Sequence, residues 1–293
     1  KIVSTKAKIK KWSTIYNSKN SPLDLQIPLV VLINERSASA AEIVSGALQD
    51  YDRAVIMGKR SFGKGLVQRY RKLMYGTQLK LTISKYYTPS GRCIQELDYE
   101  NRDVKTGKVP KFSDTAIHAF KTENGRTVFD GGGIMPDIEI KTSIANASTK
   151  ALLKTKAIFN FATQYFYENS KIDSLVDFNF KNSDFYKFTN YLKSDTTFVT
   201  LQEALFKKAF LASKGSAISR AYPKIKGELF DDKIIEISKN KDLILARIKT
   251  EILERFFYME GVYQYHLKND TTISEALVLL RNKDIYSRVL LDN

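Results

Sequence analysis

Cysteine, histidine and acidic residues are scarce in this chain of 293 residues. The one cysteine, Cys93, excludes an internal disulfide and cannot build a zinc site by itself; the two histidines, His118 and His266, stand far apart. Neither a metal nor a cofactor is therefore expected. Cys93, between Arg92 and Ile94 in a strand-like stretch, reads as a buried structural residue. No apolar run approaches the length that crosses a bilayer. The opening residues, KIVSTKAKIKKW, are too charged for a signal peptide and no cleavage pattern follows, so the chain is expected to begin as a mature fragment or in mid-domain. There are 32 acidic residues against 47 lysines and arginines, a net charge of +15. The lysines are spread along the whole chain, which makes a solvated surface the first reading. Zinc-finger spacing and RNA-binding aromatic motifs are missing, so no nucleic-acid partner is expected. An anionic membrane surface remains as the other alternative.

What is present points to a folded protein of two structural units, since the length supports a real core and 43% of the residues are hydrophobic. The run PLVVLIN (28–34) has the form of a strand buried on both faces. RSASAAEIVSGALQDYD follows, with Ile43, Val44, Ala47 and Leu48 on one helical face, and a short apolar strand is predicted at 54–57. Strand, helix and strand in this order predict a parallel α/β unit. After the loop KRSFGKG, the stretches LVQRYRKL and TQLKLTISKYY flank Met74-Tyr75-Gly76 and predict a hairpin. TPSGR (88–92) reads as a turn, 96–113 as a polar loop, and TVFDGGGIMPDIEI (127–140) as a glycine-rich turn feeding an extended segment. From about residue 145 glycine becomes rare and helical periodicity dominates, with helices predicted at 152–169, 185–194, 201–212, 241–269 and 274–282. The aromatic stripe Phe159, Phe161, Tyr165 and Phe166 reads as core or subunit contact rather than a ligand box.

A serine hydroxyl is a weak nucleophile and needs a base; the oxyanion it generates needs donors, which a helix N-terminus supplies. SASA (37–40) sits where a strand turns into a helix. Ser39 falls at the helix start, and the Ala40 amide can face an oxyanion. The spacing from Ser39 to Glu42 is equally that of a capping box, so Ser37 or Ser39 as a plain helix cap is the simpler reading of this feature alone. Neither histidine has the sequence context of a base. A lysine can serve if desolvation favours its neutral amine, and Lys64, between Gly63 and Gly65 and beside Phe62, is the candidate. The competing readings are a solvated loop lysine and a phosphate-cradling loop; the full phosphate-loop pattern is absent.

The stretch NERSASAAEIVSGALQDYDRAVIMGKRSFGKGLVQ, continued by LKLTISKYYTPSGRCIQ and DGGGIMPD, resembles the active-site segment of the C-terminal processing peptidases, or tail-specific proteases, of peptidase family S41. The resemblance spans about 28–140. It implies an α/β protease core of the ClpP/crotonase-like type, partial here with its N-terminal part missing, followed by a mainly α-helical C-terminal region, with a division into 1–144 and 145–293. It implies a Ser–Lys dyad: Ser39 as nucleophile, Lys64 as a neutral, buried base, and Gln68, otherwise an ordinary outward-facing strand residue, as the third member that positions the dyad. The implied reaction is cleavage of protein substrates near their C-termini through an acyl-enzyme, in the bacterial periplasm or cell envelope, with the hairpin after Lys64 lining the substrate groove. The family's PDZ domain and the N-P-G-G type segment thought to complete the oxyanion hole are not found. The chain is thus expected to be a fragment, weakened or inactive alone. The helical region is left with dimerisation, packing or partner binding as roles. A non-catalytic binding module that keeps the protease fold is the competing functional reading.

Overall fold

The computed structural model describes residues 1–113, 117–141, 143–172, 175, 178, 180, 182–213 and 216–291. They form two compact units, one of Lys1–Lys141 with Asp270–Asn293 and one of Thr142–Asn269.

The first unit contains the expected strand–helix–strand element. Strand β3 (Val30–Ile33), helix α1 (Ala40–Asp50) and strand β4 (Val55–Gly58) are consecutive, and β3 pairs with β4 in parallel. β9 (Ile138–Glu139) adds in parallel on the other side of β4. β4 is therefore the central strand and is buried throughout, whereas Leu32 in β3 is exposed. The doubly buried strand is β4 and not the run 28–34, because β3 lies at the edge of its sheet among the described residues. β4 also alternates as pleating requires. Ala54 and Ile56 point into one core with Ile33, Tyr86, Ile94 and Ile134; Val55 and Met57 point into another with Ile140, Ala276, Leu279 and Tyr286.

The second of these cores explains why the last residues return to the first unit. Helices α8 (Thr271–Arg281) and α9 (Lys283–Leu291) cover that face of β4, and the Tyr286 hydroxyl accepts from the Leu29 N–H (2.9 Å) and donates to the Leu29 carbonyl (3.0 Å). The expected division placed 145–293 together; the contacts place Asp270–Asn293 with the first unit.

A four-stranded antiparallel sheet in the order β2-β1-β6-β5 completes this unit: β1 (Val3–Lys6), β2 (Thr14–Tyr16), β5 (Leu66–Lys72) and β6 (Gln78–Tyr87). β5 and β6 are the predicted hairpin. A small antiparallel hairpin, β7 (Ala119–Lys121) with β8 (Thr127–Phe129), follows later in the sequence.

A buried ionic cluster anchors the C-terminal end of α1. Arg92, fully buried, donates to Asp50 (Nε 3.0 Å, Nη2 2.8 Å) and to Gln49 Oε1 (2.7 Å). Asp50 also accepts from the Ser90 N–H at 2.9 Å. Arg126 bridges Asp52 and Asp137, each at 2.6 Å. The TPSGR turn and the 127–140 segment are thus tied to the helix that carries Ser39. Removing one partner of a buried pair strands the other charge, so Arg92→Ala is expected to lower unfolding free energy by about 3–5 kcal/mol. Urea denaturation measures this; a loss below about 1 kcal/mol would place the cluster among the weak surface pairs instead.

The second unit is helical. It comprises α2 (Ala147–Leu153), α3 (Ala157–Glu168), α4 (Asn182–Tyr191), α5 (Leu201–Ala212), α6 (Ser216–Ser238) and α7 (Lys241–Asn269). The helix expected over 152–169 is two helices. α6 went unpredicted: Pro223 and Gly227 read against a helix, and only its second half carries core-facing spacing, through Phe230, Ile234 and Ile237. Ile244, Ile248 and Ile252 of α7 recur every fourth residue and meet Phe161, Phe188 and Leu192 in one core. Of the aromatic stripe, Phe161 is core, Tyr165 packs against the core, Phe166 lies 4.8 Å from the Phe256 ring, and Phe159 is exposed beneath Arg255.

Candidate active site

Ser39 is the N-cap of α1, and its backbone is in an unusual state, φ 58° and ψ −114°. A β-carbon-bearing residue pays roughly 1–3 kcal/mol for such a conformation, and strain of this kind concentrates at functional positions. The preceding turn is closed by Ser37, whose hydroxyl accepts from the Asn34 N–H at 3.1 Å. Plain turn-closing thus falls to Ser37. Ser39 and Glu42 stand in the capping-box arrangement that their spacing predicts, although the Ser39 hydroxyl faces the Glu42 N–H without a close hydrogen bond; the Ala40 N–H, at the first helical position, has no hydrogen-bond partner among the described residues.

Glu42 is what holds the turn in that state. Its carboxylate is fully buried and accepts four hydrogen bonds. Oε2 accepts from the N–H of Ser39 (2.8 Å) and the N–H of Lys64 (2.9 Å). Oε1 accepts from the Ser61 hydroxyl (2.5 Å) and the Gly63 N–H (2.6 Å). One buried side chain therefore joins the serine turn to the lysine loop. The anion carries no cationic partner in these contacts; its compensation is four donors and the positive end of α1. The S-x-x-E spacing read as a capping box, which accounts for one of the four bonds.

Tyr86 makes a second link. Its buried hydroxyl donates to the Lys64 carbonyl and lies 3.5 Å from the Ser39 carbonyl. Burial, and after it the Glu42 charge, push its phenol far up, so it remains a donor. Nothing in the sequence singled out Tyr86 or Ser61. Their signal was only that both lie inside the motif.

The loop Ser61-Phe62-Gly63-Lys64-Gly65 is shaped by its neighbours. Gly63 has φ +85°, and a β-carbon there would come within 2.5 Å of the Glu96 side chain. Gly65 faces the Gln95 backbone nitrogen at 2.8 Å from an added β-carbon, while its own N–H donates to Gln95 Oε1 at 2.8 Å. These contacts fix the path of the backbone on both sides of Lys64.

The Lys64 side chain differs from the expectation. It is exposed, not buried, and its amine makes no hydrogen bond or ion pair with the described residues. The glycines beside it add no covering side chain, and Phe62 is itself exposed, so neither excludes water. Lys64 instead lines an open cleft of about 620 Å³ together with Ala38, Phe62, Leu66, Gln68, Gln95, Leu97 and Tyr99. Gln68 is exposed, next to a bulge in β5, and its amide reaches Thr82 Oγ1 at 3.5 Å. Lys64 and Gln68 thus share the cleft, Ser39 is tied to the Lys64 loop through Glu42 and Tyr86, and no hydrogen bond joins the three side chains to one another.

The remaining titratable candidates lie elsewhere. His118 is exposed and pairs with Asp130 at 3.3 Å, and His266 meets Thr250 Oγ1 at 3.3 Å. Cys93 is free and half-buried, and burial pushes its thiol up. Among the described residues no group of three or more His, Cys, Asp and Glu side chains could hold a metal ion, and no helix is long and apolar enough to cross a membrane.

Comparison with known proteins adds to this geometry. Residues 1–104 match Peptidase family S41, and residues 148–280 match the family described as Probable PDZ-protease, C-terminal helical domain. The chain is 49% identical over 94 residues to a Carboxy-terminal-processing protease of Bartonella bacilliformis, covering 32% of this chain and 22% of that protein. It is 51% identical over 71 residues to Carboxyl-terminal-processing peptidase 3, chloroplastic, of Arabidopsis thaliana, covering 24% and 13%. A solved photosystem II D1 C-terminal processing protease is 26% identical, with a TM-score of 0.34 over 50% of this chain and 28% of that one. The chain spans about a fifth of the length of the curated relatives it matches.

Proposed function

We propose, from the match of residues 1–104 to Peptidase family S41, that this chain carries the catalytic dyad of a serine endopeptidase that cuts proteins near their C-termini. The observation that carries the reading is the Glu42 carboxylate holding the strained Ser39 turn and the Lys64 loop on the same oxygen, at 2.8 and 2.9 Å. Two neighbouring features support it: the Ala40 N–H at the start of α1 and the Lys64 amine at the cleft, both without a hydrogen-bond partner among the described residues.

In this mechanism the neutral Lys64 amine takes the proton of the Ser39 hydroxyl as its oxygen attacks a peptide carbonyl. The Ala40 N–H donates to the oxyanion. Lys64 returns the proton to the departing amine, leaving an acyl-enzyme on Ser39. Water, deprotonated by Lys64, then releases the acid and restores the serine. A base of this kind works when water is excluded from it. Because Lys64 is open to solvent, the bound peptide chain supplies the exclusion by lying across the cleft. Gln68, on the same wall, orients the amine once the peptide displaces water. The unit around β3–α1–β4 is then a ClpP/crotonase-like core. Its setting is the periplasm or cell envelope, and the helical unit offers the surface for a homodimer.

A fluorophosphonate probe tests the dyad directly. It is expected to label Ser39, found by peptide mass mapping, and labelling is expected to vanish in Lys64→Ala. A folded chain that takes no label at Ser39 would favour the alternative, a protein-binding module that retains the fold.

A further inference from the structure

The outer part of hairpin β5–β6, beyond the residues at the cleft, carries a pattern that the peptidase reading leaves unused. Residues 66–87 contain five cations, Arg69, Arg71, Lys72, Lys80 and Lys85, and no aspartate or glutamate. Every residue from 68 to 82 is exposed, so the ribbon stands free on both faces. The strand register sets Arg69 opposite Leu81 and Arg71 opposite Leu79 on one face, and Tyr70 opposite Lys80 and Lys72 opposite Gln78 on the other. At the tip stand three consecutive apolar side chains: Leu73, 49% exposed, Met74, 78%, and Tyr75, 97%.

The tip is not what a turn alone asks for. Tyr75 has φ 57° and ψ 31°, and Gly76 has φ 69°. Two successive positive-φ residues favour Asn-Gly, because asparagine tolerates that region and a bulky residue does not. A tyrosine is held there at a backbone cost and almost wholly in water. Exposing it together with Leu73 and Met74 is unfavourable unless something apolar receives the tip.

We propose that this hairpin docks the protein on an anionic lipid surface, with Leu73, Met74 and Tyr75 entering the headgroup–acyl boundary and the arginines and lysines behind them meeting lipid phosphates. The order along the ribbon matches the order across a leaflet: apolar tip first, cationic collar second, on both faces. Tyrosine suits the interface because its ring is apolar and its hydroxyl stays wet. Ribbons that bend DNA also lead with an apolar wedge, so a polyanion of that kind is the competing occupant that the vesicle assay must exclude. An acidic protein partner would be met across one face of the ribbon, whereas here charge lies on both. Gln68 lies on the same strand, so docking would set the cleft beside the membrane.

The chain's single tryptophan, Trp12, allows a clean reporter. In the double variant Trp12→Phe, Tyr75→Trp, tip fluorescence is expected to shift blue on vesicles containing about one-third phosphatidylglycerol in phosphatidylcholine, and to be quenched by brominated acyl chains. Cosedimentation should rise at least about tenfold over phosphatidylcholine alone and fall about tenfold or more in Leu73→Ser, Met74→Ser. Cosedimentation without quenching, or unchanged in the tip variant, would mean adsorption by overall charge and would overturn the proposal. So would equal affinity for the two vesicle types, or capture by an acidic protein or heparin that quenches the same reporter while vesicles do not.

Discussion

Glu42→Ala is expected to lower the unfolding free energy by about 3–5 kcal/mol and to abolish probe labelling of Ser39 in whatever fraction stays folded. The substitution leaves three backbone N–H groups and the Ser61 hydroxyl without their acceptor. Each buried donor left unmade costs roughly 1–3 kcal/mol, partly relieved where water enters. The loss is also one of geometry. Without the shared oxygen, Ser39 has less to hold it at φ 58°, and the lysine loop is released from α1. Glu42→Gln separates the two effects. Its amide NH₂ fits best on the Oε1 side, where the Ser61 oxygen, which already accepts from the Ile134 N–H, has a second lone pair to accept it; the Gly63 N–H and the Ser61 O–H then lose their acceptor while Ser39 and Lys64 keep theirs. That variant is expected to lose about 1–3 kcal/mol yet retain labelling. Chemical denaturation alongside mass mapping decides: equal labelling in the alanine and glutamine variants would show that Glu42 serves stability alone.

Lys64→Ala should do the opposite. Its side chain is exposed and makes no hydrogen bond with the described residues, so the thermal midpoint is expected to stay where it is, while peptide hydrolysis falls about 10³–10⁴-fold. Lys64→Arg keeps a basic side chain of comparable reach, but its guanidinium stays protonated and cannot take a proton, so this variant is expected to be as inactive as the alanine variant. A small primary amine added to Lys64→Ala should restore part of the rate by occupying the vacated cleft. Steady-state hydrolysis of a C-terminally labelled peptide by the protein reads all three. A rate within about tenfold of the parent in Lys64→Arg would exclude lysine as the base.

Much of this arrangement was legible beforehand, and the reasons are local. The run of apolar residues before SASA and the helical spacing after it located β3 and α1, and the glycine pair around Lys64 marked a tight loop. Short-range periodicity carries that information because a strand or helix is specified by its own residues. The exposed state of Lys64 was not legible, since Phe62 beside it in sequence turns outward. Nor was helix α6, where Pro223 masks a pattern that packing against the second core sustains.

By itself the sequence determined the residue types of the candidate site, the parallel strand–helix–strand element that presents Ser39, and the mainly helical character of the described residues after about 145. Tertiary structure alone decided that Asp270–Asn293 close over β4 in the first unit, that the β5–β6 ribbon stands exposed on both faces, and that Glu42 is a four-way acceptor. Its partners Ser61, Gly63 and Lys64 lie 19, 21 and 22 residues away along the chain. A buried carboxylate must be satisfied from every direction at once, and which donors converge on it is set by how distant segments pack, a relation that no spacing within the serine turn expresses.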